Sequence, residues 1–292
     1  MRETPSGFGD VIPSYQSTIE TANVRRFAHV MRLLDDMEYK VVYLLTGSPG
    51  IGKTISIINY YNDLAPSPYN GLRSALVIKL ESLPTRLSVA HSLLHELREK
   101  VTSRQYSPEL GKTVVKALIK NPNVSRIIVD DVEKMSKEVL DFLLTIFDSV
   151  ASVHLVLVGN QEVMKVINPI GKFSDRIGGN IILPPPTEEE VINNFLPNFI
   201  LPNWKYSISS PDQVELGKYL WKLTSPSLRK LRNLLQSSSI IAGNKPITRS
   251  AVNRAVALAI PPKQAGYSDT YQKTPFELES EERNLAKETR KK

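Results

Sequence analysis

Residues 41–54 read Val-Val-Tyr-Leu-Leu-Thr-Gly-Ser-Pro-Gly-Ile-Gly-Lys-Thr. A β-branched apolar run leads into a glycine loop, the loop ends in Lys-Thr, and residues 53–62 continue at helical spacing. Strand, loop and helix in that order make a phosphate cradle. The loop from Gly47 through Ser48, Pro49, Gly50, Ile51 and Gly52 can turn successive N–H groups inward, and the helix start adds the positive end of its dipole. Lys53 is then spaced to reach the β- and γ-phosphates of a nucleotide, and the Thr54 hydroxyl to ligate Mg2+.

Such a site needs a carboxylate at the tip of a neighbouring strand. Ile127-Ile128-Val129-Asp130-Asp131 supplies it: Asp130 for the Mg2+ water shell and Asp131 where a water-activating carboxylate stands. The next apolar run ends Val156-Leu157-Val158-Gly159-Asn160. The Asn160 amide could orient the attacking water, cap the helix beginning near Gln161, or do both.

Working outward, strand-length apolar runs recur at 76–80, 126–129, 153–158 and 181–183, with helical patterns between them. Among these are residues 17–36, with Thr21 or Asn23 as N-cap, and residues 85–101. Strands alternating with helices predict an α/β domain built on a parallel sheet flanked by helices. Pro184-Pro185-Pro186 ends it, and Thr187 with Glu190 forms a capping box for a new helix. Helices at 212–223, 226–242 and 248–259 follow, without a strand. The expected layout is an N-terminal arm (1–18), an α/β domain (19–186), a small all-helical lid domain (187–262) and a disordered polar tail (263–292), in which Tyr267, Tyr271 and Phe276 could serve as docking residues.

Composition narrows the class. The 292 residues are 41% hydrophobic and 23% charged, which excludes disordered and collagenous chains. The absence of cysteine excludes a disulfide framework and thiolate chemistry. No apolar run reaches membrane-spanning length, the opening residues are polar, and a soluble cytoplasmic protein with no membrane partner is expected. Lys+Arg 37 against Asp+Glu 30 leaves +7, a balance that favours a polyanionic partner. His91 and His95 have zinc-helix spacing, but Ser92 stands where the catalytic Glu would be, so no zinc site is expected.

The three strand tips followed by a helical domain resemble the AAA+ P-loop ATPases, in which they would be Walker A, Walker B and sensor 1. Within that superfamily the chain resembles the transposon target-selection ATPases TnsC, TniB and MuB. The resemblance rests on Ile19-Glu20-Thr21 with Val24, on 46–54 and 127–135, on 155–160, on Phe173-Ser174-Asp175-Arg176-Ile177, and on Ser225-Pro226-Ser227-Leu228-Arg229-Lys230-Leu231. It implies Arg176 as arginine finger, with Lys172 as rival. It also implies Arg229 as sensor 2, with Arg232 one turn on, and Ile19 and Glu20 at the adenine. Where the family has Asp-Glu, this chain has Asp130-Asp131, which draws the basic carboxylate back by roughly 1.5 Å. Hydrolysis should then be slow, unless Glu133 compensates.

The family's DNA-contacting region corresponds to the helices after residue 85. Arg98, Lys100 and Arg104 fall there, and Lys112, Lys116 and Lys120 share one helix face at four-residue spacing. They outnumber Glu96, Glu99 and Glu109, and no base-reading motif accompanies them, so contact with duplex DNA should track phosphates. By resemblance the chain is an ATP- and Mg2+-dependent regulator of transposition. It would form a ring or helical homo-oligomer on DNA, with ATP between subunits, and recruit a transposase under a target-selection adaptor. The alternatives are a helicase-loader ATPase of the IstB/DnaC type and a nucleotide-locked scaffold with little turnover.

Overall fold

Thr21 closes the start of α1 (Ala22–Asp35) by accepting from the Val24 N–H at 3.3 Å, so of the two candidate caps it is Thr21 that acts. The computed structural model describes residues 19–99, 107–168, 171 and 175–259; the N-terminal arm and the polar tail lie outside them. Val24, Phe27, Val30, Met31 and Leu34 form the buried stripe of α1.

Five strands make one parallel sheet: β1 (Val42–Thr46), β2 (Ala75–Lys79), β3 (Arg126–Asp130), β4 (His154–Gly159) and β5 (Ile177–Ile182), in the order β2-β3-β4-β1-β5. On one face α1 and α2 (Lys53–Asp63) set Phe27, Met31, Leu34, Ile57 and Ile58 against Leu45, Val77, Ile128 and Val156. On the other, α3 (Arg86–Glu96), α4 (Ser107–Lys120) and α5 (Lys137–Ser149) bring Leu93, Leu94, Val114, Leu118 and Leu143 onto Leu44, Ile78, Ile127 and Leu155. Cover on both faces explains why β3 and β4 read as unbroken apolar runs rather than alternating ones. All strands being parallel, Thr46, Asp130 and Gly159 end at one edge of the sheet, with β4 between β1 and β3.

β5 and α3 depart from their sequence reading. β5 begins at Ile177, four residues before the apolar run at 181–183, because Gly178-Gly179 hides its start. A Cβ at Gly178 would lie 2.6 Å from Val41 Cγ1, and one at Gly179 would lie 2.5 Å from the Tyr43 ring, so close packing against β1 requires both glycines. The helix expected over 85–101 stops at Glu96. Leu97 is its C-cap, Arg98 takes a left-handed backbone (φ 57°), and Leu87 is exposed rather than part of the packed stripe.

The described residues fall into two compact units, one ending at Glu190 and the other beginning at Val191. Of the expected capping box, the Thr187 hydroxyl accepts from Glu190 N–H at 3.1 Å, while the Glu190 carboxylate accepts from the first N–H of α1, at Ala22. The helix there is one turn, Glu188–Glu190, running into a π-helical turn, Val191–Phe195. The second unit continues with α7 (Pro211–Thr224), α8 (Leu228–Ala242) and α9 (Arg249–Ala259); α6 is the short helix Val163–Ile167 after β4. Ser227 caps α8 by accepting from Lys230 N–H, which moves the helix start past Pro226. No helix among the described residues is long and apolar enough to cross a membrane.

Arg126, buried at the start of β3, ties three elements together. Its guanidinium donates to the Met31 carbonyl at 3.0 Å, to the Tyr60 hydroxyl and to the Asp35 carboxylate. Burial lowers its pKa to about 10. Arg126→Met should leave Met31 O and Tyr60 Oη without this donor and destabilise the chain by about 2 kcal/mol, lowering the melting temperature by roughly 4–8 °C. Calorimetry checks this, and an unchanged melting temperature counts against a structural role for Arg126.

Candidate active site

β1 delivers the chain at Thr46, and the loop over 47–52 closes on Gly52, whose φ of 102° lets it cap α2 without any side-chain hydrogen bond. The first-turn N–H groups of α2 are therefore left for an anion. Lys53 is buried, and its ammonium donates to Gly47 O at 2.7 Å and Ser48 O at 3.0 Å, which holds a positive charge across the loop. Ile51 is buried beneath the loop. Its carbonyl accepts from the Asn23 amide at 3.2 Å, and the same nitrogen donates to Pro184 O at 3.0 Å. Asn23 thus stitches the loop to the segment after β5. Nothing in the sequence marks that role, since an asparagine beside an N-cap is commonplace.

Thr54, on the first turn of α2, donates its hydroxyl proton to Asp130 Oδ2 at 2.6 Å. The other Asp130 oxygen accepts from Asp131 N–H at 3.0 Å. Burial, and then the charge of Asp131, push the Asp130 carboxyl up to about 6 from 3.8, against the opposing pull of the Thr54 hydrogen bond. One hydroxyl and one carboxylate in contact could hold a divalent cation whose remaining ligands are water and phosphate.

The other polar groups at the strand tips are already partnered. Asp131 sits in the left-handed region (φ 61°), and its carboxylate accepts from Lys134 Nζ at 2.8 Å. Lys134 also donates to Leu80 O at 3.3 Å, at the end of β2. Glu133 turns the other way, accepting from Asn160 N–H at 3.2 Å and from its side-chain amide at 3.0 Å. Asn160 Oδ1 accepts from Glu162 N–H at 2.7 Å, so Asn160 both caps the following turn and offers its amide to Glu133. Gly159 makes room for this: a Cβ there would lie 2.5 Å from Glu133 Oε2 and 2.4 Å from Val163 Cγ2.

The sequence over residues 36–167 matches the family described as AAA domain. That stretch, under half of the chain, is similar to an AAA domain. No curated protein sequence matches the chain. Its fold is the AAA+ P-loop fold, and solved structures share it. Cdc6p from Pyrobaculum aerophilum aligns with a TM-score of 0.66 at 16% identity, over 87% of this chain and 71% of that one. The Aeropyrum pernix ORC2 protein, in ADPNP–ADP complexes, gives 0.64 at 16% identity over 86% and 71%. The Aeropyrum pernix ORC1 protein, in complex with DNA, gives 0.63 at 21% identity over 87% and 68%.

Relative to the loop over 47–52, Arg176 lies at the opposite end of the strands. It precedes β5, its carbonyl accepts from Val42 N–H, and Val42 pairs with Ile177 whereas Thr46 pairs with Ile182. Four strand residues at about 3.3 Å each, about 13 Å in all, separate the two ends. The Arg176 guanidinium forms a fork on Asp148 at the end of α5, at 2.9 and 2.8 Å, which raises its pKa. Its rival Lys172 lies outside the described residues, as do Phe173 and Ser174. Ile19 is buried and Glu20 exposed, both just ahead of α1. Arg229 is exposed on the first turn of α8 in the second unit, with Arg232 half-buried one turn on. On α4, Lys112, Lys116 and Lys120 lie along one face, but Lys120 pairs with Glu99 at 3.1 Å. Arg98 is exposed, and Lys100 and Arg104 lie outside the described residues.

With its pKa raised, Asp130 retains a proton in the folded chain after the unfolded chain has lost it, so its contribution to stability is present below pH 3.8 and disappears as pH rises through about 6. Near neutral pH, without cation or nucleotide, ionised Asp130 therefore costs up to about 3 kcal/mol. Asp130→Asn should raise the melting temperature of the empty protein at neutral pH, with the gain vanishing near pH 4 as measured by thermal melts across that range. An equal gain at both ends would remove Asp130 ionisation as its cause.

Proposed function

We propose that the chain is an ATP-dependent, sequence-nonspecific DNA-binding regulator of DNA transposition. It oligomerises on target DNA as a ring or helical filament with ATP between subunits, responds to a target-selection adaptor and recruits a transposase. The observation that carries the nucleotide part is the contact between Thr54 and Asp130 beside the Lys53 ammonium, the donor set a magnesium–nucleotide complex needs. The similar ORC2 protein is in ADPNP–ADP complexes and the similar ORC1 protein in complex with DNA, which supports both ligand classes. The resemblance of 155–160, 173–177 and 225–231 to TnsC, TniB and MuB supports the transposition part.

Thr54 and Asp130 would hold Mg2+, which would supply charge neutralisation to the nucleotide phosphates. Lys53 binds the same phosphates. Asp131 takes the proton of the attacking water, Lys134 fixes the direction of that carboxylate, and Glu133 holds Asn160 in line. Because Arg176 stands at the opposite end of the strands from its own loop, it serves the nucleotide of a neighbouring subunit. Arg229 reads phosphate from the lid, and Ile19 and Glu20 flank the adenine. Lys112, Lys116, Lys120 and Arg98, with Lys100 and Arg104, meet DNA phosphates.

A second reading is a helicase-loader-like ATPase of the IstB/DnaC type, which would use the same phosphate loop and acid-tipped strand. Copurification with a transposase rather than a replicative helicase separates the two. Tight pairing of Asp131 with Lys134 favours slow turnover in either case.

Lys53→Ala should abolish nucleotide-dependent assembly, read by electron microscopy with duplex DNA and a non-hydrolysable analogue; assembly equal to the parent would sink the site. Arg176→Ala should bind ATP normally and hydrolyse it at least about tenfold more slowly. Mixing it with Lys53→Ala should restore part of the rate, and no rescue at any ratio would rule out action between subunits.

A further inference from the structure

The surplus of positive charge is confined to one part of the chain. Residues 1–190 contain 21 Lys/Arg and 22 Asp/Glu, whereas residues 191–259 contain nine Lys/Arg and only two acids, Asp212 and Glu215. The helical unit alone thus accounts for the +7 of the whole chain. All of its cations except Arg232 are exposed.

In the first unit Arg86 pairs with Glu138, Lys120 with Glu99, Lys165 with Glu162 and Arg176 with Asp148, and acids slightly outnumber cations. In the helical unit Glu215 meets Lys218 at 2.8 Å, and Asp212 is the one other acid in the sequence of residues 191–259. Helices α8 and α9, of 15 and 11 residues, contain no acid at all. Their first turns carry Arg229 and Lys230 in one and Arg249 in the other. A cation at a helix N-terminus opposes the macrodipole at a cost of about 0.3–1 kcal/mol each. Folding stability alone would favour acids there, so this pattern works against the fold and suits an extended anion.

The surface around these charges favours a hydrated phosphate chain over a bilayer. The outer face of α8 past its cations presents Asn233 and Ser237, polar and uncharged. Ile240 on α8 and Leu258 on α9 are single exposed apolar residues rather than the continuous stripe that insertion into a bilayer requires. Between α7 and α9, the Arg249 guanidinium lies 4.1 Å from the centre of the Tyr219 ring, and the Tyr219 hydroxyl donates to Asn253 at 2.6 Å. Lys222 is exposed within one turn of Tyr219 on α7.

We infer that the helical unit carries a second DNA-contact surface, which grips the phosphodiester backbone of duplex DNA through Lys222, Lys245, Arg249 and Arg254 independently of the α4 lysines. The inference rests on the DNA-binding reading above and moves most of the electrostatic attraction from the AAA domain to the unit after it. The surface offers point charges and guanidinium forks without a base-reading element, so its affinity is indifferent to sequence and steeply salt-dependent.

The test is fluorescence anisotropy of the full chain, with a non-hydrolysable ATP analogue, on a labelled mixed-sequence duplex of roughly 30 base pairs between about 50 and 200 mM salt. The combined variant Lys222→Gln, Lys245→Gln, Arg254→Gln should bind about tenfold or more weakly and lower the salt slope by roughly 0.9 for each phosphate no longer neutralised. Nucleotide affinity and the melting temperature should match the parent, because all three side chains are exposed. The charge-preserving variant Lys222→Arg, Lys245→Arg, Arg254→Lys should keep the parent slope. If the first variant keeps parent affinity and slope while Lys112→Gln with Lys116→Gln reduces both, the inference falls and the DNA-binding reading stands. If the parent binds no duplex in any nucleotide state, both fall. If the first variant loses binding to anionic phospholipid vesicles but keeps duplex affinity, the surface belongs to membranes and the inference is overturned.

Discussion

The parallel register of β1, β4 and β3 is the constraint on which the site depends. Thr46 pairs with Gly159, and Val129 with Leu157, so three chain segments distant in sequence end level at one edge. A slip of one residue in any pair would turn every side chain of that strand to the opposite face. Asp130 would then leave Thr54, and Asn160 would leave Glu133. β1, β3 and β4 are buried on both faces, so a slip of any of them would break side-chain packing on each side of the sheet.

The same edge gathers three acids within four residues, at 130, 131 and 133, and their mutual repulsion is managed by giving each its own counterpart. Asp130 has the Thr54 hydroxyl, Asp131 the Lys134 ammonium, and Glu133 the two N–H donors of Asn160. Asp131 takes a left-handed backbone, and its carboxylate and that of Glu133 meet different partners. Under the proposed function the site receives a strongly anionic nucleotide, and its own negative charges are already hydrogen-bonded or paired.

Much of this is legible in the chain. Apolar β-branched runs locate β1 to β4 to within a residue or so, since buried parallel strands leave a continuous hydrophobic trace. The glycine loop and the acid-tipped strand supply the donor set. β5 reads short because Gly178 and Gly179 are weak strand formers whose necessity lies in Val41 and Tyr43, far away in sequence. The break of α3 at Arg98 depends on one dihedral angle that no residue pattern announces. Asn23 and Arg126 escape notice for the same reason: their partners are Ile51, Pro184, Met31, Tyr60 and Asp35, and only the fold brings them together. The charge of the helical unit is visible in the residues themselves, but a sum over the whole chain conceals it.

The buried carboxylate of Asp130 also bears on how well the chain persists without a ligand. A group held away from water with a neighbouring negative charge makes the vacant state the weaker one, and any ligand that binds only the folded chain shifts the balance back by mass action. Local opening around the strand tips is therefore expected to be most frequent in the chain without nucleotide. Under the proposed function, bound nucleotide would then also slow proteolysis there, an effect that needs no dedicated sensor because it follows from where one carboxylate is buried.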